Sequence, residues 1–207
     1  MKKNWPVAFL LIAVFACQPE QQHFKKLFQS LTLEWEKRFS NPLPLIYPPK
    51  TLQDDWQFLD YSAILLNQLD TVQLKKQQRA NLDKFKKQIA LKQNDLRPYR
   101  TDPGFYNMEK LLVATLETKE LSPAQRKNQL EALLDSSFAF FESAKQNLVV
   151  FSAEKTRVAL DNQASLLVFL DESLKDSFEL RDAMDACRLA AKDFAAFCKS
   201  KQLEKGK

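Results

Sequence analysis

A compact group of arginine, tyrosine and aspartate side chains lies near the middle of the chain, in the stretch RPYRTDPGFY at residues 97–106. Guanidinium groups grip carboxylates through paired hydrogen bonds, and tyrosine rings add flat contact area. One hypothesis is therefore a ligand or partner corner that binds an anion or a peptide. The alternative is a structural corner, in which an aspartate caps the next helix and the arginines bond exposed carbonyls. The corner comprises Arg97, Tyr99, Arg100, Asp102 and Tyr106, with Phe105 beside them.

Residues for other kinds of chemistry are scarce. His23 is the only histidine, and Gly104 and Gly206 are the only glycines. Because zinc sites normally draw on several His and Cys ligands, and phosphate-cradling loops are rich in glycine, neither kind of site is expected. Asp54 and Asp55 are interpreted as carboxylates at a helix N-terminus, where the helix dipole favours them. We expect no catalytic residues, no metal, no cofactor and no enzymatic activity.

The start of the chain, MKKNWPVAFLLIAVFAC, has the pattern of a targeting and anchoring segment. Lys2 and Lys3 precede an apolar run over residues 7–16, which ends at Ala16 and Cys17. The run is half as long as the ~20 apolar residues that a membrane-spanning helix needs. It predicts a lipoprotein signal peptide over residues 1–17, with lipid (palmitate) attached at Cys17. The predicted location is a membrane of the bacterial cell envelope, with the domain in the periplasm or at the cell surface.

The composition of the remaining chain favours helices. The 207-residue chain contains two Gly and nine Pro, and Leu, Lys, Gln, Ala, Glu and Phe dominate after residue 17. This composition is typical of helical proteins and argues against a turn-rich β fold. We predict an all-α, bundle-like single domain of about seven helices, mostly antiparallel, over residues 23–203. A tether over residues 18–22 precedes it and a basic tail over residues 204–207 follows.

The distribution of charge and the spacing of the cysteines indicate whether to expect a nucleic-acid partner and a disulfide bond. The formal net charge is +5, and Lys and Arg alternate with Asp and Glu in most segments, so we expect no nucleic-acid partner. Cys187 and Cys198 lie on one predicted helix and are separated along its axis by about 16 Å, too far for a disulfide. Both are predicted to be buried. The densest basic patch is interpreted as a solvated helix face, and it comprises Lys75, Lys76, Arg79, Lys84, Lys86, Lys87 and Lys92.

Capping residues and apolar periodicity predict several boundaries. Ser122 followed by Pro123 predicts the start of a helix that continues to about residue 147 with Phe138 facing inward, and Ser152 predicts another start. The proline-rich segment at residues 41–50 cannot be helical and is expected to pack on the helices. The last helix, over about residues 179–203, is expected to bury Leu180, Met184, Cys187, Ala191, Phe194 and Cys198.

The stretch LRPYRTDPGFY, at residues 96–106, resembles the Arg-Pro-Trp-x-x-Asp-Pro-x-x-Tyr motif of a large bacterial domain-of-unknown-function family. Two other stretches are similar to that family in the same register, namely AKQNL at residues 144–148 and DAMDACRLAAKDFAAFCKSKQL at residues 182–203. Proteins of this family are all-helical, are often lipoproteins, and resemble zinc carboxypeptidases of the HExxH type.

The resemblance implies the N-terminal helical half of such a protein without its catalytic half. The family's HExxH motif lies downstream of the position equivalent to Leu203, so no zinc ligand or catalytic residue is carried over. The leading functional hypothesis is a membrane-anchored lipoprotein with a non-catalytic binding or accessory domain for a peptide or an envelope protein. The alternatives are the front half of a split zinc-peptidase-like enzyme that is completed in trans, and a structural spacer of the envelope.

Overall fold

The computed structural model describes residues 20–175 and 177–204. The predicted signal peptide with Cys17, residues 18 and 19 of the tether, and tail residues 205–207 lie outside these residues. Residues 20–22, also predicted as tether, are instead the start of the first helix. The described residues form eight α-helices and no strand, which confirms the all-α prediction. None of these helices is both long and apolar enough to cross a membrane. The helices are α1 (Glu20–Phe39), α2 (Pro49–Asn67), α3 (Lys76–Thr101), α4 (Met108–Glu117), α5 (Pro123–Asp135), α6 (Ser137–Asn147), α7 (Ala153–Glu172) and α8 (Arg181–Glu204).

The described residues divide into two compact units, whereas the sequence predicted a single domain over residues 23–203. The first unit contains residues 20–43 and 54–93, and the second contains residues 44–53 and 94–204 except residue 176. Two of the boundaries fall inside α2 and α3, so each of these helices contributes residues to both units. Because a boundary inside a helix needs no flexible linker, the sequence carries no linker signal at these positions.

Aromatic contacts establish the helix directions in the first unit. Phe28 and Trp35 of α1 lie 5.4 and 5.5 Å from the ring of Phe85 in α3. The Lys92 ammonium, later in α3, lies 5.3 Å from the ring centre of Phe39, later in α1. Residue numbers therefore increase in the same direction along both helices, which makes α1 and α3 parallel. The start of α1 and the start of α3 consequently lie at the same end of this unit.

An ion pair links α1 to α2 within the first unit. Nη1 of Arg38 donates to Oδ1 of Asp55 at 2.9 Å, and Nε of Arg38 donates to Glu34 at 2.7 Å. Burial lowers the pKa of Arg38, but the hydrogen bonds and charges of Asp55 and Glu34 outweigh it, so that the pKa is raised overall. Asp55 is only 3% exposed, whereas Asp54 is exposed. The two adjacent aspartates therefore differ in role. Because α2 begins at Pro49 and its first turn contains no acidic residue, the interpretation of both as N-terminal helix charges is wrong.

Helix α8 lies at the centre of the second unit and packs against α5, α6 and α7. Its predicted inward residues are all buried, including Cys187 and Cys198, which are free thiols. Burial raises the pKa of Cys187 to about 11 and that of Cys198 to about 12. The prediction that these cysteines are buried and unpaired with each other is confirmed.

The single helix predicted over residues 123–147 is two helices. Helix α5 ends at Asp135 and α6 begins at Ser137, and Phe138 is 65% exposed where it was expected to face inward. At the break, the hydroxyl of Ser136 donates to the carbonyl of Leu133 at 2.8 Å. A serine hydroxyl that bonds nearby backbone competes with the helical hydrogen-bond ladder. The predicted cap at Ser122 is confirmed as a complete capping box with Gln125.

We expect Asp55→Asn to lower the free energy of unfolding by about 2–3 kcal/mol, because it leaves the Arg38 guanidinium without its buried counter-charge. The matched control is Asp54→Asn, which removes the same charge from the adjacent exposed position and should change stability by no more than about 0.5 kcal/mol. Urea unfolding followed by circular dichroism measures both variants. Equal losses in the two variants would contradict the assignment of the ion pair to Asp55.

Candidate functional site

The predicted corner begins at the C-terminal end of α3. Pro98, Pro103 and Gly104 predict a helix break from Arg97 onward. The helix instead continues through Pro98 and ends at Thr101, so the break starts five residues later than predicted. Proline disrupts a helix because it lacks an N–H and crowds the preceding turn. Here the helix persists for one more turn because Leu96 and Tyr99 are buried in the second unit. Tertiary packing therefore overrides the local preference of Pro98.

All four terminal carbonyls of α3 have donors. The last four carbonyls of any helix lack partners within the helix and need other donors. The N–H of Asp102 donates to the Pro98 carbonyl at 3.0 Å, and the hydroxyl of Tyr106 donates to the Tyr99 carbonyl at 2.9 Å. The Arg100 carbonyl accepts from the N–H groups of Val149 and Val150, at 2.9 and 3.3 Å. The Thr101 carbonyl accepts from Nζ of Lys155 at 3.4 Å.

The two tyrosines of the corner are structural. Tyr99 is 5% exposed and Tyr106 is 1% exposed, and burial raises the pKa of both hydroxyls. The hydroxyl of Tyr99 donates to the carbonyl of Pro44 at 3.0 Å. Rings of Phe140 and Phe194 lie 5.5 and 6.2 Å from the Tyr106 ring. The expectation that these tyrosines offer flat contact area to a ligand is therefore corrected, since their rings face the core.

Asp102 caps a 3₁₀ turn over residues 103–105, the first element after α3. Its side chain accepts from the N–H of Gly104 at 3.0 Å. The structural alternative predicted that Asp102 caps the next helix, whereas it caps this short turn before it. Its other oxygen lies 3.6 Å from Nζ of Lys155, so the carboxylate also holds α7. Helix α4 has its own cap at Asn107, whose side chain accepts from the N–H of Lys110 at 2.9 Å.

Helix α7 holds the turn from the other side. The amide of Asn162 donates to the carbonyl of Gly104 at 3.0 Å, and that of Gln163 donates to the carbonyl of Tyr106 at 3.4 Å. A Cβ on Gly104 would lie 2.9 Å from Cγ1 of Val158, so this glycine is required by the close approach of α7 and not by its φ. The sequence indicated the turn at Gly104, but nothing in it identified Asn162 or Gln163 as its partners.

The proline-rich segment supplies a further part of the corner. Tyr47 is buried and its ring lies 5.2 Å from the ring of Tyr99. Its carbonyl accepts from the hydroxyl of Ser143 at 2.6 Å and from the amide of Asn147 at 2.8 Å. The prediction that residues 41–50 are packed and not helical is confirmed for Tyr47, but it is wrong for Pro49 and Lys50, which begin α2. Ser143 and Asn147 are buried polar residues, and only the position of the Tyr47 carbonyl in the structure shows that they serve as its donors.

The outer face of the corner combines cationic and apolar side chains, and we refer to it as the corner surface. Arg97 is exposed and Arg100 is half-buried. Phe105 is 45% exposed, and its ring lies 4.7 Å from that of Tyr99. Three valines are also exposed: Val149 and Val150, whose N–H groups donate to the Arg100 carbonyl, and Val158, which lies beside Gly104. The corner surface comprises Arg97, Arg100, Phe105, Val149, Val150 and Val158.

The remaining reactive residues lie apart from this surface. His23 is a half-buried residue of α1 in the first unit. In the second unit, Cys187 and Cys198 are buried in α8. Among the residues that the structure describes, no group of three or more His, Cys, Asp or Glu side chains is placed to hold a metal ion.

We expect Tyr106→Phe to lower the free energy of unfolding by about 1–3 kcal/mol, because the buried carbonyl of Tyr99 loses its donor. The matched control is Tyr99→Phe, whose acceptor, the carbonyl of Pro44, belongs to an exposed residue and can bond water instead. We expect the control to lose less than half as much. Chemical denaturation with far-ultraviolet circular dichroism compares them, and a larger loss for Tyr99→Phe would contradict the assignment.

Comparison with known proteins yields one structural neighbour. No family model matches the chain, and no curated protein matches it. A solved structure described as "a putative lipoprotein of unknown function" from Shewanella oneidensis is similar, with a TM-score of 0.50 and 15% sequence identity. The match covers 90% of this chain and 38% of that chain. The likeness therefore extends to the helical fold, and this chain spans less than two-fifths of the neighbour's length.

Proposed function

We propose that the chain is an exported lipoprotein, anchored to a membrane of the bacterial cell envelope through lipid on Cys17, whose helical domain binds a partner. The observation that carries the proposal is the pattern of residues 1–17, a short basic segment, a ten-residue apolar run and a cysteine. The description of the structural neighbour as a lipoprotein supports the same class of protein and the same cellular location.

The corner surface is the proposed contact for a peptide or an envelope protein. Arginines at an interface provide hydrogen bonds to carboxylates, and an exposed aromatic ring provides apolar area, which is the composition typical of interface hot spots. The surface is held on a framework of buried tyrosines and satisfied carbonyls, so its side chains are presented from a rigid base. The proposed role is non-catalytic and involves neither cofactor nor nucleic acid.

A second candidate is the front half of a split zinc-peptidase-like enzyme, completed in trans by another polypeptide. Two observations favour it: the motif resemblance at residues 96–106, and the coverage of only 38% of the neighbour's length by this chain. In this case the captured partner would be a helical protein that carries HExxH and lacks this front half. An adjacent open reading frame of that type would raise this candidate above the first.

We expect Cys17→Ser to abolish incorporation of labelled palmitate and to release the protein from the lipid-linked membrane fraction, because a hydroxyl cannot replace the thiol that carries the lipid. The matched control is the double variant Cys187→Ala/Cys198→Ala, which removes the other two cysteines and retains Cys17. Metabolic labelling followed by membrane fractionation measures both. The anchor would be refuted by labelled palmitate on Cys17→Ser, or by loss of the labelled palmitate from the double variant alone.

We expect Arg97→Glu to reduce capture of an envelope protein by the immobilised lipoprotein at least about tenfold, because it reverses a charge on the corner surface. Lys119→Glu is the matched control, since it makes the same charge change at an exposed position of the same unit. Mass spectrometry of the retained proteins identifies the partner and tests it for HExxH. Equal capture by both variants would contradict binding through the corner surface. No capture by the unaltered protein would leave the spacer role.

A further inference from the structure

The parallel arrangement of α1 and α3 gathers positive charge at one end of the first unit. The start of α1, the loop at residues 68–75 and the start of α3 meet there. Val72 in the loop is 80% exposed. Asp70 accepts from the N–H of Val72 at 3.0 Å and from the Gln73 amide at 3.1 Å, which holds the loop in shape. This basic tip comprises the exposed residues Lys25, Lys26, Val72, Lys75, Lys76 and Arg79.

The tip has a clear excess of positive over negative charge. In sequence, residues 20–30 and 68–79 together contain these five cations and two acidic residues, Glu20 and Asp70. Arg79 is directed to the loop, since its Nε donates to the carbonyl of Leu74 at 2.9 Å. The further cations of α3 lie along its exposed side, and Lys84 is about 12 Å of helix beyond Lys76. That separation exceeds the screening length of about 8–10 Å at physiological salt, so the tip acts as a distinct charge cluster.

The proposed anchor is attached at the same end. Two residues separate Cys17 from Glu20, the first residue of α1, and three chain steps span at most about 11 Å. A lipid on Cys17 therefore holds the start of α1 within about 11 Å of the membrane surface. This step rests on the lipoprotein function proposed above. The lipid anchor brings the basic tip to the headgroups, and it brings no other described end of this unit there.

We propose that the basic tip docks on anionic phospholipid headgroups, with Val72 at its point of contact. Lysine and arginine near a membrane are attracted by anionic lipids over about one screening length, which matches the reach imposed by the anchor. The short apolar side chain of Val72, in the loop three residues before Lys75, is 80% exposed and would meet the boundary between headgroups and acyl chains. Docking then adds a second attachment to the lipid and sets the orientation of α1 and α3 relative to the surface.

The test uses the full lipidated protein in vesicles, with an environment-sensitive fluorophore on Val72→Cys. Labelling is selective because Cys17 carries lipid and the thiols of Cys187 and Cys198 are buried. We expect a blue-shifted emission and quenching by a headgroup-linked quencher in vesicles containing phosphatidylglycerol, and neither in pure phosphatidylcholine. The matched position is Leu91→Cys, 64% exposed and about 22 Å along α3 from Lys76, where no change is expected.

The triple variant Lys25→Gln/Lys75→Gln/Lys76→Gln should lower the ratio of docked to undocked protein about 100-fold at low salt. The triple variant Lys84→Gln/Lys86→Gln/Lys87→Gln removes the same charge farther along α3 and should leave the ratio within about threefold. The docking proposal is overturned if the protein stays on the vesicles and both triple variants lower the docked-to-undocked ratio equally. It is also overturned if the emission from Val72→Cys is the same in anionic and in neutral vesicles. Protein that carries no lipid and leaves the vesicles would instead refute the anchor.

Discussion

The four carbonyls at the end of α3 are the constraint on which the second unit depends. The last four carbonyls of a helix need donors from outside the regular ladder, and each one buried without a donor costs about 1–3 kcal/mol. The donors come from four separate places in the chain: Asp102, Tyr106, the segment after α6, and Lys155 at the start of α7. Satisfying one helix end therefore fixes the positions of α4, α6 and α7 around it.

This arrangement separates the structural residues of the corner from those that meet solvent. Tyr99 and Tyr106 turn their rings into the core and use their hydroxyls for backbone carbonyls. The side chains left outside are Arg97, Phe105 and the three valines, together with part of Arg100. A corner backbone held by these hydrogen bonds moves little, which reduces the conformational entropy that the corner itself would lose when a partner binds.

In the first unit, side chains of the same type have different roles because they differ in burial. Asp55 is enclosed and paired with Arg38, where removal of one partner leaves an uncompensated charge. Asp54 beside it is exposed, and an exposed charge contributes little to stability. Lys75 and Lys76 are likewise exposed, so they add little to the fold and remain available to a charged surface. The core of this unit is built instead from aromatic rings, with Phe85 in contact with Phe28 and Trp35.

The sequence by itself determined the helical class, the caps at Ser122 and Ser152, and the buried face of α8, because each depends on local spacing or on one hydrogen bond near a helix end. It could not determine that α3 continues past Pro98, that the helix predicted over residues 123–147 breaks at Ser136, or that Asp54 and Asp55 differ. The difference between Asp54 and Asp55 was decided by Arg38, which is distant in sequence, and the continuation of α3 by the burial of Leu96 and Tyr99. The break at Ser136 involves a local bond, but local spacing did not show that the serine would bond the Leu133 carbonyl. Only the tertiary structure brings such partners together, because burial and hydrogen-bond satisfaction are properties of packed neighbours and not of local spacing.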